Sequence, residues 1–190
     1  AFSYSTAPLV NNGIVYDGTY ALRASDGAVL WRMAVDPQED GSLMLQALEG
    51  NTLYANTADV IYAIDASNGK MLWHFKPSTK APIGGPLVVA NHQLYVGTLG
   101  SSDDPQLSGF YAVNADTGTL LWQYQMGDYQ GAVVSQKMVY VSSRDHFLYA
   151  FSTSDGQILW KHSFAFPVYQ AAALVGNVLY INLDQAYALS

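Results

Sequence analysis

The side chains able to do chemistry in this 190-residue chain are few and scattered. Cysteine is absent, which removes thiolate nucleophiles, disulfides and Cys-ligated zinc. His74 and His162 each lie within two residues of a tryptophan, while His92 and His146 sit in turn-like sequence. No pair of them has His-x-x-x-His or a comparable metal-ligand spacing. Serines are numerous, but no Gly-x-Ser-x-Gly elbow is present. Carboxylates are the one group that gathers. Asp36, Glu39 and Asp40 share the segment Asp-Pro-Gln-Glu-Asp, Asp103 and Asp104 sit in the Gly/Ser-rich stretch from Gly97 to Gly109, and Asp128 stands alone. Loop acids can cage Ca²⁺ or receive a cationic partner. None of these loops has EF-hand ligand spacing, so solvated loop carboxylates are the plainer reading. Adjacent acids such as Asp103 and Asp104 point apart on an extended chain, a poor arrangement for general acid–base work. The residues therefore offer a low-grade recognition surface, and no catalytic, cofactor-binding or metal-binding residue is assigned.

What positions these loops is a twelve-residue phrase that recurs four times. The copies are Tyr20-Ala-Leu-Arg-Ala-Ser-Asp-Gly-Ala-Val-Leu-Trp31, Tyr62-Ala-Ile-Asp-Ala-Ser-Asn-Gly-Lys-Met-Leu-Trp73, Tyr111-Ala-Val-Asn-Ala-Asp-Thr-Gly-Thr-Leu-Leu-Trp122 and Tyr149-Ala-Phe-Ser-Thr-Ser-Asp-Gly-Gln-Ile-Leu-Trp160. A fifth begins at Tyr187-Ala188-Leu189. Each reads as a strand, a turn rich in Ser, Asp, Asn and Thr, and a returning strand. Gly27, Gly69, Gly118 and Gly156 fall where such a turn needs a positive φ. No 3.6-residue apolar stripe runs through the phrase, which excludes a helix.

Upstream of each copy lies an apolar-Tyr strand ending at Tyr16, Tyr54, Tyr95, Tyr140 or Tyr180, and before that a further apolar run. Four strands in roughly forty residues match the blade of a β-propeller. The expected fold is all-β, a propeller of four-stranded antiparallel blades, about five of them: four complete Trp hairpins and a split or truncated fifth. Residues 1–190 are expected to form a single domain. Five blades closed by pairing both chain ends would use the whole chain, with Ala1-Phe2-Ser3-Tyr4 falling where the tail of an outer strand belongs. The alternative is a segment of a larger propeller. Since a lone blade cannot bury both faces, a large indole recurring in every unit reads as packing between blades rather than as a stacking platform for ligands.

The phrase resembles the PQQ-like (quinoprotein-type) β-propeller repeat, whose docking motif runs Ala, any residue, Asp, three residues, Gly, three residues, Trp. Ala63, Asp65, Gly69 and Trp73 fit it fully, while Arg23, Asn114 and Ser152 replace the Asp in the other copies. The resemblance implies that Trp31, Trp73, Trp122 and Trp160 lie between neighbouring blades. It does not carry a redox site over: quinoprotein dehydrogenases resembling this repeat have about eight blades, adjacent cysteines against the quinone and an acidic Ca²⁺ set beside a catalytic Asp. The resemblance implies the non-enzymatic branch, with no cofactor; binding of PQQ or Ca²⁺ is a matter for titration. No Trp-Asp dipeptide supports a WD40 reading, and the Gly84-Gly85 pair is alone where kelch blades each need one.

Composition narrows the partners. A net charge of −7 without a basic run argues against nucleic acid, and no apolar stretch approaches the roughly 18 residues of a membrane span. Half the residues are hydrophobic, ample for a core, while only 12% are charged. Blade geometry puts the Gly turns and first-to-second-strand turns on one face. The second-to-third-strand loops and blade-to-blade connections fall on the other. The Gly turns have constant length, whereas the spacing from Tyr16 to Tyr20, Tyr54 to Tyr62, Tyr95 to Tyr111 and Tyr140 to Tyr149 varies widely. Loop variation on a constant scaffold marks the expected recognition face, carrying Asp36, Glu39, Asp40, Asp103, Asp104 and Asp128. The expected partner is a protein or peptide, and the expected setting is extracytoplasmic or at the cell surface.

Overall fold

The computed structural model describes residues 7–33, 43–100, 108–183 and 186–189, and among them there are strands and turns but no helix. The chain packs as two compact units, Ala1–Pro77 and Ser78–Ser190. In the first, β1 (Leu9–Asn11), β2 (Ile14–Asp17), β3 (Tyr20–Arg23) and β4 (Val29–Arg32) form one antiparallel meander. A second is made by β5 (Met44–Glu49), β6 (Thr52–Asn56), β7 (Ile61–Asp65) and β8 (Met71–Phe75). The second unit begins with β9 (Ile83–Ala90), β10 (Gln93–Thr98), β11 (Gly109–Asn114) and β12 (Leu120–Gln125). It continues with β13 (Tyr129–Val134), β14 (Met138–Ser143), β15 (Phe147–Ser152) and β16 (Ile158–Ser163). Three further strands, β17 (Ala173–Val175), β18 (Val178–Asn182) and β19 (Ala186–Leu189), make the last sheet. These sheets are the propeller blades that the repeat predicts, strand for strand.

The hairpin of each phrase has one construction. In all four, the glycine has φ between 71° and 73° and its N–H donates to the carbonyl of the residue four positions earlier. A bulge follows: Ala21 pairs with Trp31 but Leu22 with Val29, and the same slip occurs at Ala63/Ile64, Ala112/Val113 and Ala150/Phe151. The residue squeezed out is always the leucine before the tryptophan. Leu30, Leu72, Leu121 and Leu159 are all exposed as a result, while the tryptophan is re-aimed off the outer strand, as bulges do. Within its own blade each indole meets the second-strand tyrosine, at 5.9 Å for Tyr16–Trp31, 6.1 Å for Tyr54–Trp73, 6.0 Å for Tyr95–Trp122 and 5.8 Å for Tyr140–Trp160.

The forward contact shows what the glycine is for. Trp31 donates from Nε1 to the Ala66 carbonyl of the next blade at 3.0 Å, and Trp122 to that of Thr153 at 3.2 Å. Both of these indoles lie against the next blade's Gly turn, so that a β-carbon on Gly69 would fall 2.5 Å from Cε3 of Trp31, and one on Gly156 2.5 Å from Cδ2 of Trp122. Gly27 has the same φ but nothing within 4 Å of such an atom. Cores form on this plan within each unit: Tyr16, Ala21, Leu45, Leu53 and Ile64 in the first, and Tyr95, Phe110, Trp122, Tyr129 and Phe151 in the second. Trp122 is 8% exposed but Trp160 is 37% exposed, so the four indoles are not equivalent. No Gly turn lies ahead of Trp160 among the described residues.

Candidate functional site

Within each unit, backbone bonds sort the loops into the two faces that blade geometry requires. On one face the first-to-second-strand turn is tied to the Gly turn: Ala24 N–H donates to Gly13, Ala66 to Asn51, Ala115 to His92 and Thr153 to Lys137. Asp65 stiffens its turn by accepting from Asn51 Nδ2, Ser67 N and Ser67 Oγ, and those bonds, the Ser67 hydroxyl first, hold its carboxyl below the usual carboxylate range. Asn114 does the same work through the amides of Asp116 and Thr117. The motif Asp is thus a turn cap, which is why an amide replaces it without loss of the hairpin.

On the opposite face the ties run between second-to-third-strand loops and blade connections, from Leu99 to Pro82, Met126 to Ser108, Arg144 to Asp128, Phe164 to His146 and Val168 to Ser143. Carboxylates reinforce them in the second unit. Asp128 accepts the Gly100 N–H at 2.6 Å through Oδ1, and its Oδ2 lies 3.3 Å from Nη1 of Arg144. The Arg144 guanidinium also caps the ring of Tyr169, 5.6 Å from its centroid. Asp145 accepts the Tyr149 hydroxyl at 2.8 Å and the Gly127 and Phe147 amides at 3.2 Å each. Burial, and then the Asp145 carboxylate beside it, push the Tyr149 hydroxyl well above the ordinary tyrosine value. Four loops are therefore laced into one surface by two acids and an arginine, with the ring of Tyr169 59% exposed on top.

Of the six acids singled out for this face, Asp128 is in this network. Asp36, Glu39, Asp40, Asp103 and Asp104 lie outside the described residues. Asp145, Arg144 and Tyr169 were missed by sequence reading. The one signal for Asp145 is its place in a Ser-Arg-Asp turn four residues before the repeat tyrosine. Among the described residues no three His, Asp or Glu side chains converge as a metal cage. Asp128 and Asp145 accept from backbone amides, which ties them to the loop framework. His74 and His162 stand on the outer strands β8 and β16, and His92 and His146 occupy turns at φ 59° and 74°. Among the described residues, Asn56 Oδ1 and Ser142 Oγ are buried without a protein partner. They hold one repeat position, two residues past Tyr54 and Tyr140 at the loop ends of β6 and β14, where a water or a partner's donor would be taken up.

Similarity to known proteins follows the repeat. The chain is 24% identical over 196 aligned residues to tetrathionate hydrolase of Acidithiobacillus ferrooxidans, covering 84% of this chain and 37% of that protein. It is 25% identical over 117 residues to outer membrane protein assembly factor BamB of Moranella endobia, covering 56% of this chain and 28% of the relative. The chain thus spans well under half the length of these curated relatives. Among solved structures, the computationally designed protein Ika8 superposes with a TM-score of 0.77 at 16% identity over 97% of this chain and 57% of its own, a likeness of fold alone. The family model described as outer membrane protein assembly factor BamB matches residues 17–136 and 111–188, and the docking motif, its bulge and its forward-reaching indoles agree: this chain belongs to that family of PQQ-like repeat β-propellers.

Proposed function

We propose that the chain is a non-catalytic binding scaffold that holds a protein or peptide partner on its variable-loop face. The observation that carries this reading is the contrast between the two ends of the blades: a Gly hairpin of identical construction at one end of each of four blades, and at the other end loops of unequal length, tied in the second unit by Asp128, Arg144 and Asp145. Recognition concentrates where loops vary over a fixed scaffold. The BamB relative supports a protein partner and an extracytoplasmic setting. In this reading binding needs neither PQQ nor Ca²⁺. The alignment to tetrathionate hydrolase along 84% of the chain favours a second reading, a propeller segment of an enzyme.

A photo-crosslinking residue placed at Tyr169, on the loop face, tests the first reading against the same residue at Asp155, on the turn face. Protein adducts in source cells from position 169 and none from 155 are expected. Equal labelling at both sites, or none at 169, would overturn face-specific recognition. Turnover of tetrathionate by the purified chain would establish the enzymatic reading. A melting temperature raised in proportion to PQQ and Ca²⁺ added together would restore the quinoprotein one.

A further inference from the structure

The chain has eight Lys and Arg residues and a net charge of −7, yet Arg32, Lys70 and Lys76, with His74, line a single groove of about 720 Å³ in the first unit. No acidic side chain lines it among the described residues. Asp59 pairs with Lys76 from outside the groove, an exposed bridge at 2.5 Å whose side chains are 64% and 57% exposed, and such pairs hold their partners weakly. Arg32 is fixed in advance, its guanidinium 5.2 Å from the centre of the Tyr20 ring. Between the cations the wall is apolar, with Met33 and Tyr62 buried beneath and Met71 facing solvent.

Spacing decides the shape of the ligand. Lys70 ends the β7–β8 turn, His74 lies in β8 and Lys76 just beyond it, so at about 3.3 Å per residue the three span roughly 20 Å along the strand. A compact oxyanion would meet only one or two of them. Among the described strands β8 is the outer strand of its sheet, next to β7, and a ligand lying along it would have to be extended to reach all three. We infer that this groove binds an extended acidic peptide, with carboxylates at alternate positions meeting Lys70, His74, Lys76 and Arg32 and an apolar residue resting on Met71. The site lies in the first unit and does not depend on recognition by the loops around Asp128.

The probe is acetyl-Glu-Leu-Glu-Leu-Glu-Leu-amide carrying a rhodamine label, titrated by fluorescence anisotropy against the whole chain. Saturable binding that weakens as salt rises is expected, with a loss of about 10-fold or more in Lys70→Gln/Lys76→Gln. A Gln-for-Glu peptide should bind at least about 10-fold more weakly than the acidic one. A Lys-for-Glu peptide should bind only the Lys70→Glu/Lys76→Glu protein. Both lysines are exposed, and unchanged melting temperatures will confirm that the variants fold. Equal affinity for the Glu and Gln peptides, no change in the lysine variants, or saturation by inorganic sulfate without peptide binding would each overturn the inference. Tighter binding of single-stranded DNA than of peptide would overturn it as well.

Discussion

Gly27 and Gly69 occupy the same motif position with φ of 71° and 73°, yet only Gly69 has an indole lying on it. Replacing each with alanine therefore separates backbone strain from blade docking. At Gly27 the added methyl meets nothing within 4 Å, so Gly27→Ala should cost only the left-handed conformation, about 1–2 kcal/mol. At Gly69 the methyl would lie 2.5 Å from Cε3 and 2.9 Å from Cζ3 of Trp31. That indole is held from behind by Tyr16 and pinned by its bond to Ala66, so it cannot slide away freely. Overpacking of this kind adds about 1–3 kcal/mol, which puts Gly69→Ala at about 2–5 kcal/mol. Urea unfolding followed by far-UV circular dichroism, compared at constant m, reads the difference. Trp31→Ala supplies the control, because removing the ring should return the cost of Gly69→Ala to that of Gly27→Ala, a coupling of about 1–3 kcal/mol. Gly156 and Trp122 repeat the experiment in the second unit, where such a methyl would have three ring atoms within 2.8 Å. Equal costs at Gly27 and Gly69, or no coupling to Trp31, would refute the docking argument.

Trp122→Ala should destabilise by about 3–5 kcal/mol, since the ring is 8% exposed and meets Tyr95, Phe110 and Phe151, whereas Trp160→Ala should lose less than half as much; similar losses would contradict the difference in burial. Burial pushes the Tyr95 hydroxyl up to about 12, and those of Tyr129 and Tyr149 also rise. Because the folded values exceed the unfolded one near 10, this stability is complete below pH 10 and is lost as pH rises from there through about 12. Denaturation midpoints should hold from pH 7 to 9 and fall above 10, and Tyr95→Phe should shallow that fall; an unchanged slope would show that Tyr95 titrates normally. Asp128→Ala removes the acceptor of the Gly100 N–H and the partner of Arg144, so exchange of that amide should speed up by about 10-fold or more, and unaltered exchange would show that the carboxylate does not hold the loop.

The repeat made the fold legible because every blade states it again: the Tyr-Ala-apolar strand, the glycine and the tryptophan each occupy one structural place in four sheets. The bulge that turns the indole and exposes Leu30, Leu72, Leu121 and Leu159 left no mark that alternation could reveal, since Leu-Trp reads simply as two apolar residues. Inequality among the tryptophans was hidden for a related reason. Their own phrases match, but the burial of Trp122 and Trp160 is set by the following blade. Asp145 and Arg144 escaped notice because their partners, Gly127, Tyr149, Asp128 and Tyr169, come from separate loops. The cations of the first-unit groove likewise converge from the outer strands of two blades, which no linear spacing records.

The indoles reach forward along the chain, Trp31 to a carbonyl 35 residues later and Trp122 to one 31 residues later. On the ribosome this gives the fold a clock. At about 5–20 residues per second, a newly made Trp31 waits roughly 2–7 s before its acceptor exists. Until then a hairpin with a complete sequence carries an undocked ring, and Trp122 repeats the wait in the second unit. The growing end is therefore where a nascent-chain chaperone would find an aromatic handle. A ribosome paused just short of a Gly turn would prolong that exposure more than one paused just after it.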